Sequence, residues 1–146
     1  MFSGSKDKKF ALFGTAVASL FAAIAFWVFI DAVATSPRDP VKAYTYVCIL
    51  VTVGFEVLLN LLNWETVSGR DEDAKMWQVR IGRLLFFICV VMMVGGNLGA
   101  FFIMYFGYIQ TNSVEFHAGV EIFVSSLLFL FGFVILRFCR QRYRYD

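Results

Sequence analysis

Four long apolar runs, separated by short segments that carry most of the charge, are the feature that most constrains the fold of this chain. The runs cover residues 10–30, 44–62, 82–106 and 118–136. Each has roughly the 20 residues that an α-helix needs to cross a ~30 Å hydrocarbon core. Because lipid offers no hydrogen bonds to the backbone and alternating barrel strands are not seen, the runs predict helices. We therefore predict an all-α, polytopic membrane protein, with residues 1–146 forming one four-helix transmembrane domain.

The 13 Lys and Arg residues are distributed unevenly among the connections between these runs. All but two precede the first run, lie between the second and third runs or at the start of the third, or follow the fourth. The remaining two, Arg38 and Lys42, lie between the first and second runs. Cytoplasmic connections carry an excess of Lys and Arg, so this distribution predicts that the N and C termini are both cytosolic.

The composition excludes several classes of protein. A hydrophobic content of 60% and a mean hydropathy of +0.71 are not those of an ordinary soluble domain. The net charge of +2 is small, and no basic stripe interleaved with aromatics indicates nucleic-acid binding. We therefore expect other integral membrane proteins and bilayer lipids as partners, with no nucleic acid and no soluble small-molecule substrate.

Motifs for catalysis and for cofactor binding are absent from the sequence. There is no Ser-His-Asp order, Gly-rich phosphate loop or Cys-x-x-Cys pair, and one His with scattered carboxylates lacks the dense ligand set of a metal site. We expect no enzymatic activity, no cofactor and no metal. A membrane-embedded lipid enzyme has little support, because His117 and Glu56 are predicted in opposite halves of the bilayer and cannot form one site.

Small residues recur at helical spacing in the first and third spans. They allow helices to approach closely, since packing rather than hydrophobic burial drives helix association in lipid. Two interpretations are open, namely packing within the chain and docking of another subunit. The residues are Gly95 with Gly99, Gly96 with Ala100, and Asn97 between them, together with Gly14, Ala18 and Ala22 in the first span.

Polar residues in the second span lie on one predicted helical stripe. Thr52, Glu56, Asn60 and Asn63 are spaced four, four and three residues apart. Charges within a membrane usually face protein or water, because their insertion costs roughly 2.5–3.5 kcal/mol each. We favour an interhelical or intersubunit hydrogen bond for Glu56, with a proton or cation ligand as the alternative.

A second polar group is predicted at the lumenal side. His117 and Glu121 share a helical face at the start of the fourth span, and Asp31 ends the first span. A His beside carboxylates can titrate in an acidifying compartment. Ordinary hydrogen bonds at an interface are the favoured interpretation.

Three cysteines do not make a disulfide framework. Cys48 and Cys89 fall inside apolar runs, where a free Cys packs as a small hydrophobic residue. Cys139 follows the fourth run between Arg137 and Arg140 at the predicted cytosolic edge, which is a possible palmitoylation position.

Three segments carry a family resemblance. They are the end of the first span, residues 26–32 (FWVFIDA), the third span with Gly95, Ala100 and residues 105–108 (YFGY), and residues 133–140 (FVILRFCR). In order and spacing the chain resembles the transmembrane protein 50 family, whose fungal relatives include vacuolar protein sorting protein 68. It departs from the family pattern at Ala25-Phe26, Ala118-Gly119 and Ser125-Ser126, which is typical of a divergent member.

The resemblance implies a small four-span protein of endoplasmic reticulum, Golgi or endosomal membranes that has no catalytic residues. It also implies a partner, because fungal relatives act with a second small polytopic protein in late endosome to vacuole transport. We therefore expect a non-enzymatic subunit of a membrane complex that serves endosomal trafficking or lipid handling. The alternative is an oligomeric carrier or channel coupled to protons or ions.

Overall fold

A computed structural model describes residues 3–35, 43–111 and 116–145 of the chain, with side chains for residues 8–35, 44–111 and 116–139. Its helices are α1 (Ser3–Ala34), α2 (Ala43–Leu61), α3 (Trp64–Ser68), α4 (Met76–Phe102) and α5 (Phe116–Tyr145). A π-helical segment, Ile103–Ile109, continues α4. The described ranges contain no strand, which confirms the all-α prediction. Arg38 and Lys42 lie outside them.

Four of the helices are long and apolar enough to cross a membrane, as predicted. The apolar stretches are Lys8–Ala34, Tyr44–Leu61, Met76–Ile109 and Phe116–Cys139. Three of them are longer than the predicted runs, because the helices continue into more polar ends.

Large apolar side chains are exposed on the outside of all four helices, for example Leu12 (77%), Leu50 (71%), Phe87 (65%) and Phe131 (54%). A surface of this kind fits lipid rather than water, consistent with a multi-pass membrane protein. The cytosolic orientation of the termini stays a prediction.

The last long helix, α5, lies at the centre of the bundle. It packs along α1 and also contacts α2, α4 and the π-helical segment. The main contacts of α4 are with α2, whereas those of α1 are with α5. The first and last helices of the chain are therefore neighbours, and α1 lies at the edge of the bundle.

Glycines mark the closest approaches between helices. A Cβ built on Gly14 of α1 would overlap the sulfur of Cys139 and lie 2.7 Å from its Cβ. A Cβ on Gly96 of α4 would overlap the hydroxyl of Thr52 and lie 3.0 Å from its Cβ. Both helix pairs need glycine at these points, since a methyl group would push the helices apart.

The connection between α2 and α4 is ordered by the short helix α3. The Asn63 side chain accepts a hydrogen bond from the Glu65 amide at 3.1 Å and so caps α3, while Gly69 ends it with a left-handed φ of 76°. Arg83 of α4 donates to the Val67 carbonyl at 3.0 Å. We call this end of the bundle, where α2 and α5 end and α4 begins, the α3 end.

Candidate functional site

Polar side chains are buried together inside the described bundle. They come from three helices: Thr45, Thr52, Glu56 and Asn60 from α2, Asn97 from α4, and Ser125 and Ser126 from α5. We call Thr52, Glu56, Asn60, Asn97 and Ser126 the buried polar cluster. Because each unsatisfied polar group is costly in lipid, the partners of these atoms decide what the cluster can do.

The donors that α2 contributes to the buried polar cluster are satisfied by backbone carbonyls. The Thr52 hydroxyl donates to the Cys48 carbonyl at 2.7 Å. The Asn60 amide donates to the Glu56 carbonyl at 3.0 Å and to the Phe133 carbonyl of α5 at 3.4 Å. Asn60 thus joins α2 to α5.

Asn97 joins α4 to α5 in the same region. Its amide donates to the Met93 carbonyl at 2.9 Å, and its Oδ1 accepts the Ser126 hydroxyl at 2.8 Å. Bonds of this kind between membrane helices contribute about 0.6 kcal/mol on average. Asn97 therefore positions the two helices on either side of the cluster.

Glu56 differs from every other member of the cluster. Its side chain is completely buried, and neither carboxyl oxygen has a hydrogen-bond partner among the described residues. The Asn97 side chain faces it from α4 without meeting the geometry of a hydrogen bond. Glu56 is therefore a titratable group enclosed by three helices, and no outside helix can touch it in this arrangement.

Arg137 of α5, a cation at the α3 end, is directed to the end of α2 rather than to the buried polar cluster. Nη1 of Arg137 on α5 donates to the Leu59 and Leu62 carbonyls, each at 2.8 Å, and its guanidinium lies 6.0 Å from the ring centre of Trp64. The last carbonyls of a helix lack intrahelical partners and carry partial negative charge. Arg137 therefore caps α2, a role that its position among the basic residues after the fourth run did not indicate.

The structure brings Asp31, His117 and Glu121 together at the end opposite α3. Asp31 and His117 are exposed and Glu121 is half-buried, and both neighbours act electrostatically on the Glu121 carboxylate. One turn further along α5, the Ser125 hydroxyl donates to the Ala25 carbonyl of α1 at 2.7 Å. The described residues contain no group of three His, Cys, Asp or Glu side chains that could hold a metal ion.

The small residues singled out in the sequence lie at different places. Gly14 and Ala18 face α5, and Ala100 is buried. Gly99 faces Cys48 of α2, where a Cβ would lie 3.4 Å from the sulfur. A Cβ on Gly95 would meet nothing within 4 Å, so this glycine is open to the surroundings.

Cys139 is buried, with 7% of its surface exposed, and its sulfur lies against Gly14. The structure argues against palmitoylation at this possible position, because attachment of an acyl chain to the sulfur would require α1 to move away from α5. The sequence did not indicate which way this side chain points.

Grooves between or beside the helices include two that matter for the α1 side and for the α4–α5 side of the described bundle. One lies beside α1 and holds about 160 Å³; its small lining residues are Thr15, Ala18, Ser19, Ala22 and Gly132. The other, between α4 and α5, holds about 420 Å³ and is apolar except for Asn97. The sequence analysis did not single out Thr15 and Ser19, although their i, i+4 spacing places both on one face of the helix.

His117 and Glu56 do not meet. His117 lies at the start of α5, at the end opposite α3, whereas Glu56 lies five residues before the end of α2 at the α3 end.

A comparison with protein-family models gives a match over nearly the whole chain. Residues 2–143 match the model of a family described as "Uncharacterised protein family (UPF0220)". No curated protein and no solved structure matches the chain. Since the family model covers nearly the whole sequence, the chain belongs to the uncharacterised protein family UPF0220.

Proposed function

We propose that this protein is a non-enzymatic subunit of a multi-protein membrane complex, and that another transmembrane helix docks on the outer face of α1. The observation that carries the proposal is the groove along α1 and the small side chains beside it, of which Thr15, Ala16 and Ser19 are exposed and Ala11 is half-buried. We call Ala11, Thr15, Ala16 and Ser19 the α1 face.

The chemistry of the α1 face suits a helix better than lipid. The Thr15 hydroxyl donates to the Ala11 carbonyl at 2.8 Å, and the Ser19 hydroxyl donates to the Thr15 carbonyl at 2.8 Å. Both side chains remain exposed, so each oxygen can still accept a hydrogen bond. Small and hydroxylated residues of this kind are enriched where membrane helices associate.

The position of α1 also favours docking. Its main contacts are with α5 through Gly14, Ala18 and their neighbours, so none of the other described helices packs mainly against the α1 face. The partner that fits is a membrane helix with small residues of its own, because a small side chain on both helices permits the closest approach.

The test is affinity purification of the full chain from its native membranes in mild detergent, with mass spectrometry and a size estimate of the particle. We expect a particle larger than the 16.6 kDa chain, with companions at fixed stoichiometry. In Thr15→Leu and Ser19→Leu the added side chain fills the groove, and the companions should be lost.

Ile24→Phe is the matched control, because Ile24 is 44% exposed on another side of α1. This variant also adds bulk to an exposed position of the same helix, and it should keep the companions. Retention of the companions in both groove variants, or recovery of a monomer under conditions that keep comparable complexes intact, would refute the proposal.

The cellular setting rests on the family resemblance. We propose that the complex serves endosomal trafficking or lipid handling in endoplasmic reticulum, Golgi or endosomal membranes, as in the transmembrane protein 50 family. The groove between α4 and α5 supports the lipid-handling part, since about 420 Å³ of apolar space with one polar residue is of ligand-binding size. Imaging of the tagged chain with organelle markers tests the location, and the identity of the companions tests the process.

A further inference from the structure

We propose that Glu56 is the intramembrane proton-binding site of this protein, and that its carboxyl group carries an exchangeable proton inside the bundle. The inference goes beyond a docking role, because Glu56 is fully enclosed by its own chain and is separate from the α1 face.

Burial without a partner is the first step of the argument. A carboxylate moved out of water without an ion pair or hydrogen bonds is strongly disfavoured, and such a group becomes neutral instead. Both oxygens of Glu56 are buried without a hydrogen-bond partner among the described residues. A bound proton removes the charge that this environment does not compensate.

The groups that face Glu56 compensate a charge on it only in part. From α4 it is faced by the Asn97 amide, which is neutral, and from α5 the cluster receives Ser126, whose hydroxyl is donated to Asn97. On its own helix, Thr52 and Asn60 donate to backbone carbonyls. Arg137 of α5 is directed to the end of α2, and no charged side chain of the described residues acts on Glu56.

The path along which the Glu56 proton exchanges with water is short. Glu56 lies five residues before Leu61, the last residue of α2, which is about 7–8 Å along the helix axis. Asn60, one turn nearer that end, is buried and polar. This depth keeps the group out of bulk water and still allows occasional access of water from the α3 end.

The test uses dicyclohexylcarbodiimide, a lipid-soluble reagent that modifies protonated carboxyl groups in membranes. The full chain in lipid nanodiscs is treated at a series of pH values, and modified residues are identified by peptide mass spectrometry. A fatty acid in the same bilayer normalises the reagent's own pH dependence. We expect modification of Glu56 at low pH, with a rate that falls about tenfold per pH unit at high pH, as for one dissociating proton.

The exposed Glu72 of the connection between α2 and α4 is the internal control and should stay unmodified, since the reagent partitions into lipid. Glu56→Gln should remove the modified peptide, and Glu56→Asp should keep it if the packing tolerates the shorter side chain. The decisive measurements use the unsubstituted chain, so a variant that fails to fold does not remove the test.

Two results would overturn the inference. One is a folded chain in which Glu56 is never modified, or is modified at a rate independent of pH. The other is protection of Glu56 by sodium ions at constant pH, which would assign the site to a metal cation.

Discussion

Replacing Gly96 with alanine places a methyl group where α4 meets α2. The new Cβ would overlap the Thr52 hydroxyl and lie 3.0 Å from Thr52 Cβ and 3.2 Å from its Cγ2. Thr52 is itself buried, and its hydroxyl is held by the Cys48 carbonyl at 2.7 Å. The helices must therefore separate, and overpacking of this kind costs about 1–3 kcal/mol.

Gly95→Ala is the matched control on the same helix. A Cβ there meets nothing within 4 Å, and both substitutions gain the same preference of alanine over glycine in a helix, about 1 kcal/mol. This helix preference of alanine is the same in both variants and cancels when they are compared. The free energy of unfolding of Gly96→Ala should therefore be lower than that of Gly95→Ala by about 1–3 kcal/mol.

The assay is reversible unfolding in mixed micelles of a mild detergent and dodecyl sulfate, followed by tryptophan fluorescence. Trp64 is a suitable reporter, because its ring centroid lies 5.6 Å from that of Phe86 on α4. Thr52→Ala removes the hydroxyl and Cγ2, so it should recover part of the loss when combined with Gly96→Ala. Equal stability of the two alanine variants would show that α2 and α4 do not approach each other at Gly96.

Three further predictions concern contacts of α5. Arg137→Met removes two charge-assisted hydrogen bonds to the end of α2, each worth about 1.5–3 kcal/mol. It should lower the free energy of unfolding by at least about 1.5 kcal/mol, the value of one such bond. An unchanged unfolding midpoint would contradict the capping role. Ser125→Ala loses the 2.7 Å bond to the Ala25 carbonyl and should cost about 0.6 kcal/mol and no more than about 1.7 in the same assay. Cys139 should react slowly with a maleimide until the protein is unfolded, because α1 covers its sulfur. Labelling as fast as that of an exposed engineered cysteine would show that α1 separates from α5 in the folded protein.

The four spans could be predicted from the sequence because length and hydropathy alone decide whether a helix can cross a bilayer. Helix ends were less accurate. The predicted third span began at residue 82 and ended at 106, whereas α4 begins at Met76 and its π-helical continuation ends at Ile109. Both extensions contain polar residues or glycine, so an apolar run does not indicate them. A shared stripe for Thr52, Glu56, Asn60 and Asn63 was predicted from helical periodicity, and the first three side chains are buried. Asn63 was wrongly included, because α2 ends at Leu61 and Asn63 caps α3.

The direction in which neighbouring residues face could not be predicted. Gly95 and Gly96 start two equivalent small-residue patterns that point about 100° apart on a helix. The sequence does not say which of these two glycines meets α2, and the structure places Gly96 there and leaves Gly95 open. Arg137 gave no signal either, because its acceptor, the Leu62 carbonyl, is 75 residues away in the chain.

The pairing of α1 with α5 has a consequence for how the protein is made. The bond between Ser125 and the Ala25 carbonyl joins residues that are 100 positions apart. At the usual synthesis rates of roughly 5–20 residues per second, α1 waits on the order of 5–20 s in the membrane before the ribosome delivers its neighbour. During that interval its small-residue surface is available to insertion chaperones or to another membrane protein. A nascent chain that stalls before α5 therefore presents an orphaned first helix, which membrane quality control can recognise.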